Sequence, residues 1–287
     1  MKKNAFTLIE VMVVMAIISI LAGMLMPVAW RFWESEEIAT TRQRLEDLKL
    51  AMVGNRNLIQ DGIRRSYGFV GDNGELPFGN MTAAGGLKYL ANKPPSGYPK
   101  WSGSYMKGGF DPSTYTIDAW GRTFTYTPNH YPGTEPFRYV SGEIRSYGPN
   151  GIPNDDDDIF VTIEEKEVTP TARYKGKIPV FSTITSATFY ADTEVTYRDP
   201  SDPTGISSNE KFACKQLIFK AAGSFVVYSS TYLKKFPIGE LTYKTNVYRD
   251  SVDKCDSSPQ RSLDSYYFVH DDLKEVLLNF PQYTYTP

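Results

Sequence analysis

The sequence predicts an α+β fold: a long N-terminal helix, membrane-spanning in its first half, packed on a small antiparallel sheet and followed by a β-sandwich-like C-terminal domain. Three observations predict it. Residues 11–30 are twenty consecutive residues without a formal charge, and as a helix they would rise about 30 Å, enough to cross a bilayer core. After them Ile38, Thr41, Leu45, Leu48, Met52, Asn55 and Ile59 recur at alternating spacings of three and four, one stripe of an amphipathic helix. From Tyr115 onward, short runs rich in Tyr, Phe, Val and Ile alternate with Gly, Pro and Asp clusters, as strands joined by turns do.

The two stripes join into one helix over residues 6–61, with Gly62 as its stop and Glu34, Glu37, Arg42, Glu46 and Lys49 on the remaining faces. Gly23 and Pro27 interrupt the middle. Proline removes a backbone hydrogen bond and clashes with the preceding turn, so a kink or a locally melted turn is expected there. Glu10 heads the apolar run; an acid at the bilayer centre costs about 2.5–3.5 kcal/mol, less near the interface, and marks a functional position that needs a partner. Lys2 and Lys3 orient the N-terminus toward the cytoplasm. A secretory signal would end its apolar stretch at a small-residue cleavage site, whereas here the small residue, Ala5, precedes the stretch.

The string Ala5-Phe6-Thr7-Leu8-Ile9-Glu10 resembles the type III signal of type IV pilins and type II secretion pseudopilins, which is cut just before the Phe of FTLIE. The usual residue before the cut is Gly; this chain has Ala5. The resemblance implies that a prepilin peptidase removes residues 1–5 on the cytoplasmic side and N-methylates Phe6. Glu10 then finds its counter-ion in the new α-amino group of Phe6 on a neighbouring subunit, an attraction strengthened by low dielectric. It also implies a helix-breaking role for Pro27 as the subunit leaves the bilayer, and a filament core built from residues 6–30. The implied partners are further copies, minor pseudopilins, an inner-membrane assembly platform and a cytoplasmic ATPase. The implied place is the bacterial inner membrane, single-pass, with the globular part in the periplasm or on a surface filament. A plain type II membrane anchor with a stray acid is the alternative.

The 287 residues are 41% hydrophobic and 22% charged with a formal net charge of −2, ordinary globular material with no charge excess pointing to nucleic acid. Cys214 and Cys255 permit one disulfide in an oxidising compartment; two buried thiols are the alternative. His130 and His270 suggest no metal pair.

Residues 62–165 read as a first globular domain. A Gly- and Pro-punctuated connection leads to DAWGRTFTY at 118–126, a strand region, and SYGPNGIPNDDDDI at 146–159. In order and spacing these segments resemble the major pseudopilins of type II secretion, which carry a D-P-W-G segment, a strand and an acidic terminal loop. In that family the loop is held by calcium. The resemblance implies a Ca²⁺ shell drawn from Glu143, Asn150, Asp155, Asp156, Asp157 and Asp158, with Glu143 and Asn150 standing where the family usually has Asp. Oxygen-only donors suit Ca²⁺, and a solvated acidic loop is the alternative.

Residues 166–287 extend beyond such a protein as a series of strand candidates, read as a β-sandwich. The stretch following Ala221 weakly resembles prealbumin-like or carboxypeptidase-regulatory-like sandwiches. No G-x-S-x-G elbow, H-E-x-x-H or P-loop occurs, so the expectation is a filament subunit and not an enzyme. A filament- or membrane-displayed module binding a surface or cargo through its C-terminal domain is the alternative, and a membrane-tethered periplasmic enzyme ranks third.

Overall fold

A computed structural model of the chain describes residues 8–61, 63–78, 86–95, 97–106, 112–130, 139–181, 189–197, 208–217, 225–249, 255, 258–259, 261–269, 275–279 and 283–284, part of them by backbone alone. Helix α1 (Leu8–Val53) runs unbroken for 46 residues, with Glu10 in its first turn. Over residues 8–24 its side chains are exposed on every face, from Leu8 through Val14, Ile18 and Leu21 to Met24. Among the described residues no helix is long and apolar enough to cross a membrane. The backbone stays helical through Gly23 and Pro27, so no turn is melted there.

The second half of α1 buries the predicted stripe at Thr41, Leu45, Leu48 and Met52. The helix then stops at Val53 and not at residue 61. Gly54 takes φ +79°, its N–H bonds to Leu50 O at 2.8 Å, and a Cβ there would run into the backbone of Ser66. Buried Arg64 donates from Nη2 to Val53 O (2.5 Å) and from Nε to Ser66 O (2.8 Å), placing a cation on the helix C-terminus. The spacing that predicted a longer helix carries on past this cap by coincidence: Ile59 lies exposed in β1 (Ile59–Gln60), paired with β2 (Ile63–Arg64).

Helix α2 (Gly68–Asn73), a 3₁₀ turn (Leu87–Leu90) and α3 (Pro112–Tyr115) follow, the first two burying Phe69, Val70, Leu87 and Leu90. Strands β3 (Thr125–His130), β4 (Tyr139–Ser146) and β5 (Ile159–Ile163) form an antiparallel sheet in that order. Tyr126, Ile144 and Val161 are in register across it and share one core with Leu45, Leu48 and Met52 of α1. Alternate residues of β4 and β5 are buried, as a sheet with one face on a helix requires. Helix α4 (Glu165–Val168) closes this unit with a capping box in which Glu164 and Glu167 serve each other's backbone. Buried Glu167 also pairs with Lys49 of α1 and with Arg56 just past its end, both at 3.0 Å.

Beyond α4 lie β6 (Thr171–Phe181), β7 (Phe189–Tyr197), β8 (Ser208–Leu217), β9 (Phe225–Lys235), β10 (Gly239–Arg249), β11 (Arg261–Val269), β12 (Glu275–Asn279) and β13 (Tyr283–Thr284). One sheet has the order β11-β10-β7-β8, all antiparallel. In the other, β6 pairs antiparallel with β9 but parallel with β12 and β13. The described pairings therefore give one antiparallel and one mixed sheet, and they do not establish the expected β-sandwich. Within the first sheet, fully buried Asp192 accepts hydrogen bonds from Asn246 Nδ2 (2.8 Å) and Tyr248 OH (2.9 Å).

This region is seated on the first domain. Ile238, in the turn between β9 and β10, is 1% exposed and belongs to the same core as Leu48 and Met52, and its N–H donates to Val168 O at 2.9 Å. Tyr67, ahead of α2, stacks on Phe268 of β11 with ring centroids 6.0 Å apart.

Candidate functional site

The DAWG segment is a tight turn riveted to α1. Arg44 donates to the carbonyls of Ile117 (3.0 Å) and Asp118 (2.9 Å), and Ala119 N–H donates to Thr41 Oγ1 (3.1 Å). The Asp118 carboxylate, 1% exposed, accepts the Arg122 N–H and the Ser146 hydroxyl, each at 2.8 Å, and lies 3.4 Å from Arg122 Nε. Gly121 at φ +80° makes the reversal. From this turn the Arg122 guanidinium crosses to the start of the acidic loop. It donates to the carbonyls of Gly148 and Pro149 and rests over the Trp120 ring.

The loop itself folds around Asn150. Its Nδ2 donates to Asp155 Oδ2 (2.7 Å) and Asp157 Oδ1 (3.0 Å), and its Oδ1 accepts the Ile152 N–H (2.6 Å). Asp158 Oδ2 accepts from Asn154 N–H (2.9 Å) and Arg145 Nη1 (2.7 Å). The Asp158 side chain is 2% exposed, and its other oxygen is buried with no hydrogen-bond partner. One carboxylate oxygen from each of Asp155, Asp157 and Asp158 lies within 4.8 Å of the others. A hydrogen bond between the two carboxyls holds Asp157 above the usual carboxylate range and Asp155 below it.

Of the six predicted ligands, Asn150, Asp155, Asp157 and Asp158 are thus brought together. Glu143 is turned to Arg145 Nε at 2.7 Å, and Asp156 is exposed and stands outside the carboxylate group. The assembled donors fit a hard cation: they are oxygens gathered within 4.8 Å of one another, and Asp158 carries a buried oxygen with no hydrogen-bond partner. Sequence reasoning missed Arg145, Arg122 and Asp118. The i, i+2 spacing of Glu143 and Arg145 on a strand was the available sign for the first; the reach of Arg122 across 26 residues had none.

A second concavity of about 420 Å³ opens where the C-terminal region meets α2, lined among others by Arg65, Tyr67, Asp72, Tyr105, Glu240 and Phe268.

Residues 1–26 match the family model of the prokaryotic N-terminal methylation motif. The chain is 27% identical over 158 residues to the type II secretion system core protein G of Dickeya chrysanthemi, which covers 55% of this chain and 85% of that protein. Both matches support a likeness to the type IV pilin-like/pseudopilin family. No solved structure matches it. In this pilin-like chain the expected cleavage pair, Ala5 and Phe6, lies outside the described residues. Glu10 is exposed in the first turn of α1, and Pro27 is described as helical backbone alone. Cys255 is buried and disulfide-bonded, while Cys214 is described as backbone in β8.

Proposed function

We propose that this chain is a structural subunit of a type II secretion or type IV pilus-like filament, freed of residues 1–5 by prepilin peptidase, N-methylated at Phe6 and polymerised through α1. The observation that carries the reading is the combination of a methylation motif over residues 1–26 with a helix whose apolar first half is exposed on every face. An apolar surface of that extent is unstable in water and calls for lipid or other subunits. Before assembly, residues 11–30 hold the chain in the inner membrane as a single pass, N-terminus in the cytoplasm and the rest in the periplasm. During assembly the apolar halves of α1 pack against one another. Glu10, near the positive end of its own helix, meets the Phe6 amine of a neighbouring subunit and sets the register. Minor pseudopilins, the assembly platform and the cytoplasmic ATPase are the partners of that process.

Ca²⁺ belongs to the same reading, held by Asp155, Asp157 and Asp158 with Asn150, where it would supply the positive charge that offsets the three clustered carboxylates. The chain has two cysteines, so the bond at Cys255 implies Cys214 as its partner, closing a loop of roughly 40 residues worth about 3–4 kcal/mol.

Replacing Glu10 by Ala tests the core of the proposal. Membrane fractionation should be unchanged and sheared filaments should be lost; filaments at the wild-type yield would overturn it. A displayed binding module is the second reading, favoured by the concavity between α2 and β11. Substitutions at Glu240 and Phe268 that abolish adhesion or secretion while leaving filaments intact would select it.

A further inference from the structure

We infer that Arg122 is the positioning residue of the acidic loop, a fixed cationic pin that holds the loop's first limb in place before any cation binds. The inference rests on the calcium reading only for its effect on affinity; the pinning itself stands on the geometry.

Arg122 is anchored at one end and donates at the other. Its own N–H bonds to the Asp118 carboxylate, which also faces its Nε, and Asp118 is tied to the end of β4 through Ser146. The turn that carries both is in turn bonded to α1 through Arg44 and Thr41. From this base the guanidinium reaches the consecutive carbonyls of Gly148 and Pro149 with two different nitrogens. A planar fork with fixed donor directions can serve two neighbouring carbonyls, whereas an ammonium concentrates its charge at one point.

The loop glycines record the closeness of this packing. Gly151 adopts φ +73°, and a Cβ there would collide with Arg122 Nη1; Gly148 adopts φ +58°, and a Cβ there would collide with the Asp157 carbonyl oxygen. The pin, the first limb and the returning acidic limb therefore pack with no room for a side chain. On the other limb Arg145 bonds Asp158. The two arginines fix the two ends of the loop, and Asp155 and Asp157 remain at its tip, bridged by Asn150.

Arg122 thus holds the backbone just before Asn150, one of the proposed ligands, and the loss of a partner that orients a metal ligand costs about 10–100-fold in metal affinity. The test uses the full chain in detergent micelles, comparing wild type with Arg122→Gln, Arg122→Lys and Gly151→Ala. Two quantities are read: calcium affinity by titration calorimetry, and amide hydrogen exchange over residues 147–158 in chelator. Arg122→Gln should weaken calcium binding about 10-fold and speed exchange in the loop by a similar factor. Arg122→Lys should not restore either, and Gly151→Ala should reproduce both with the arginine still present.

Exchange outside the loop serves as the folding control, since a general loss of structure accelerates it everywhere and a lost pin accelerates it in the loop alone. Wild-type affinity and wild-type loop exchange in Arg122→Gln would overturn the inference. If wild-type protein binds no calcium, the calcium reading falls by itself, and the exchange ratio still decides the role of Arg122.

Discussion

Asp155 and Asp157 share a hydrogen bond between their carboxyls, and their titrations move apart in consequence, Asp157 upward and Asp155 downward. The two have opposite effects on stability. The contribution of Asp157 is present below its unfolded-state value and lost as pH rises through its raised folded value; that of Asp155 is present above its unfolded-state value and lost as pH falls through its lowered one. Both groups are solvent-exposed, so the net effect without metal is small. Calcium changes this, because it binds the ionised carboxylates and so competes with their protons. At ~100 times its dissociation constant calcium should stabilise the fold by about 2.7 kcal/mol, or about 5–10 °C in melting temperature for a domain of this size. That increment should be full at neutral pH and shrink toward pH ~4, near the ordinary Asp value. Melts with calcium and with chelator at both pH values check it, and an increment that is absent at neutral pH or independent of pH would count against the site. The donors of this loop were legible in the sequence because they are contiguous acids between Gly and Pro. The arginines that hold the loop were not, because Arg145 meets Asp158 only through the pairing of β4 with β5, and Arg122 meets the carbonyls of Gly148 and Pro149 from a distant turn.

At the scale of elements, α1 shows where pattern and geometry part. The buried stripe at Thr41, Leu45, Leu48 and Met52 follows the predicted spacing. Its continuation to Asn55 and Ile59 does not hold, since the helix is ended by the left-handed Gly54 and by Arg64 bonded to the last carbonyl. A side chain at Gly54 would be strained in backbone conformation and would also meet Ser66. Gly54→Ala should therefore destabilise the domain by about 1–3 kcal/mol, measured by denaturant unfolding. A loss under a few tenths would mean that the cap relaxes freely and that α1 is ended by its packing instead.

For the whole molecule, the deciding feature is the placement of Ile238. It lies in the turn between β9 and β10 yet fills the core under α1, next to α4, whose Glu167 is gripped by Lys49 and Arg56. The C-terminal region is thus coupled to α1 and is not a free pendant. Ile238→Ala should cost about 2–5 kcal/mol and lower the melting temperature of both regions together. Two separate transitions, with that of the first domain unmoved, would show the regions to be independent. By the same reasoning, deleting residues 166–287 removes part of the first domain's core, so surface substitutions in β11 separate binding from folding more cleanly than truncation does.

The sequence by itself determined the helix, the strand-rich remainder and the acidic loop, because each is written in neighbouring residues: charge-free spacing, three-and-four periodicity, and a run of four aspartates. Only the tertiary structure decided where α1 stops, which acids converge, which arginines hold their loop, and that the C-terminal region shares a core with the first domain. Those outcomes depend on residues tens of positions apart meeting through strand register and packing, and no local pattern records such a meeting.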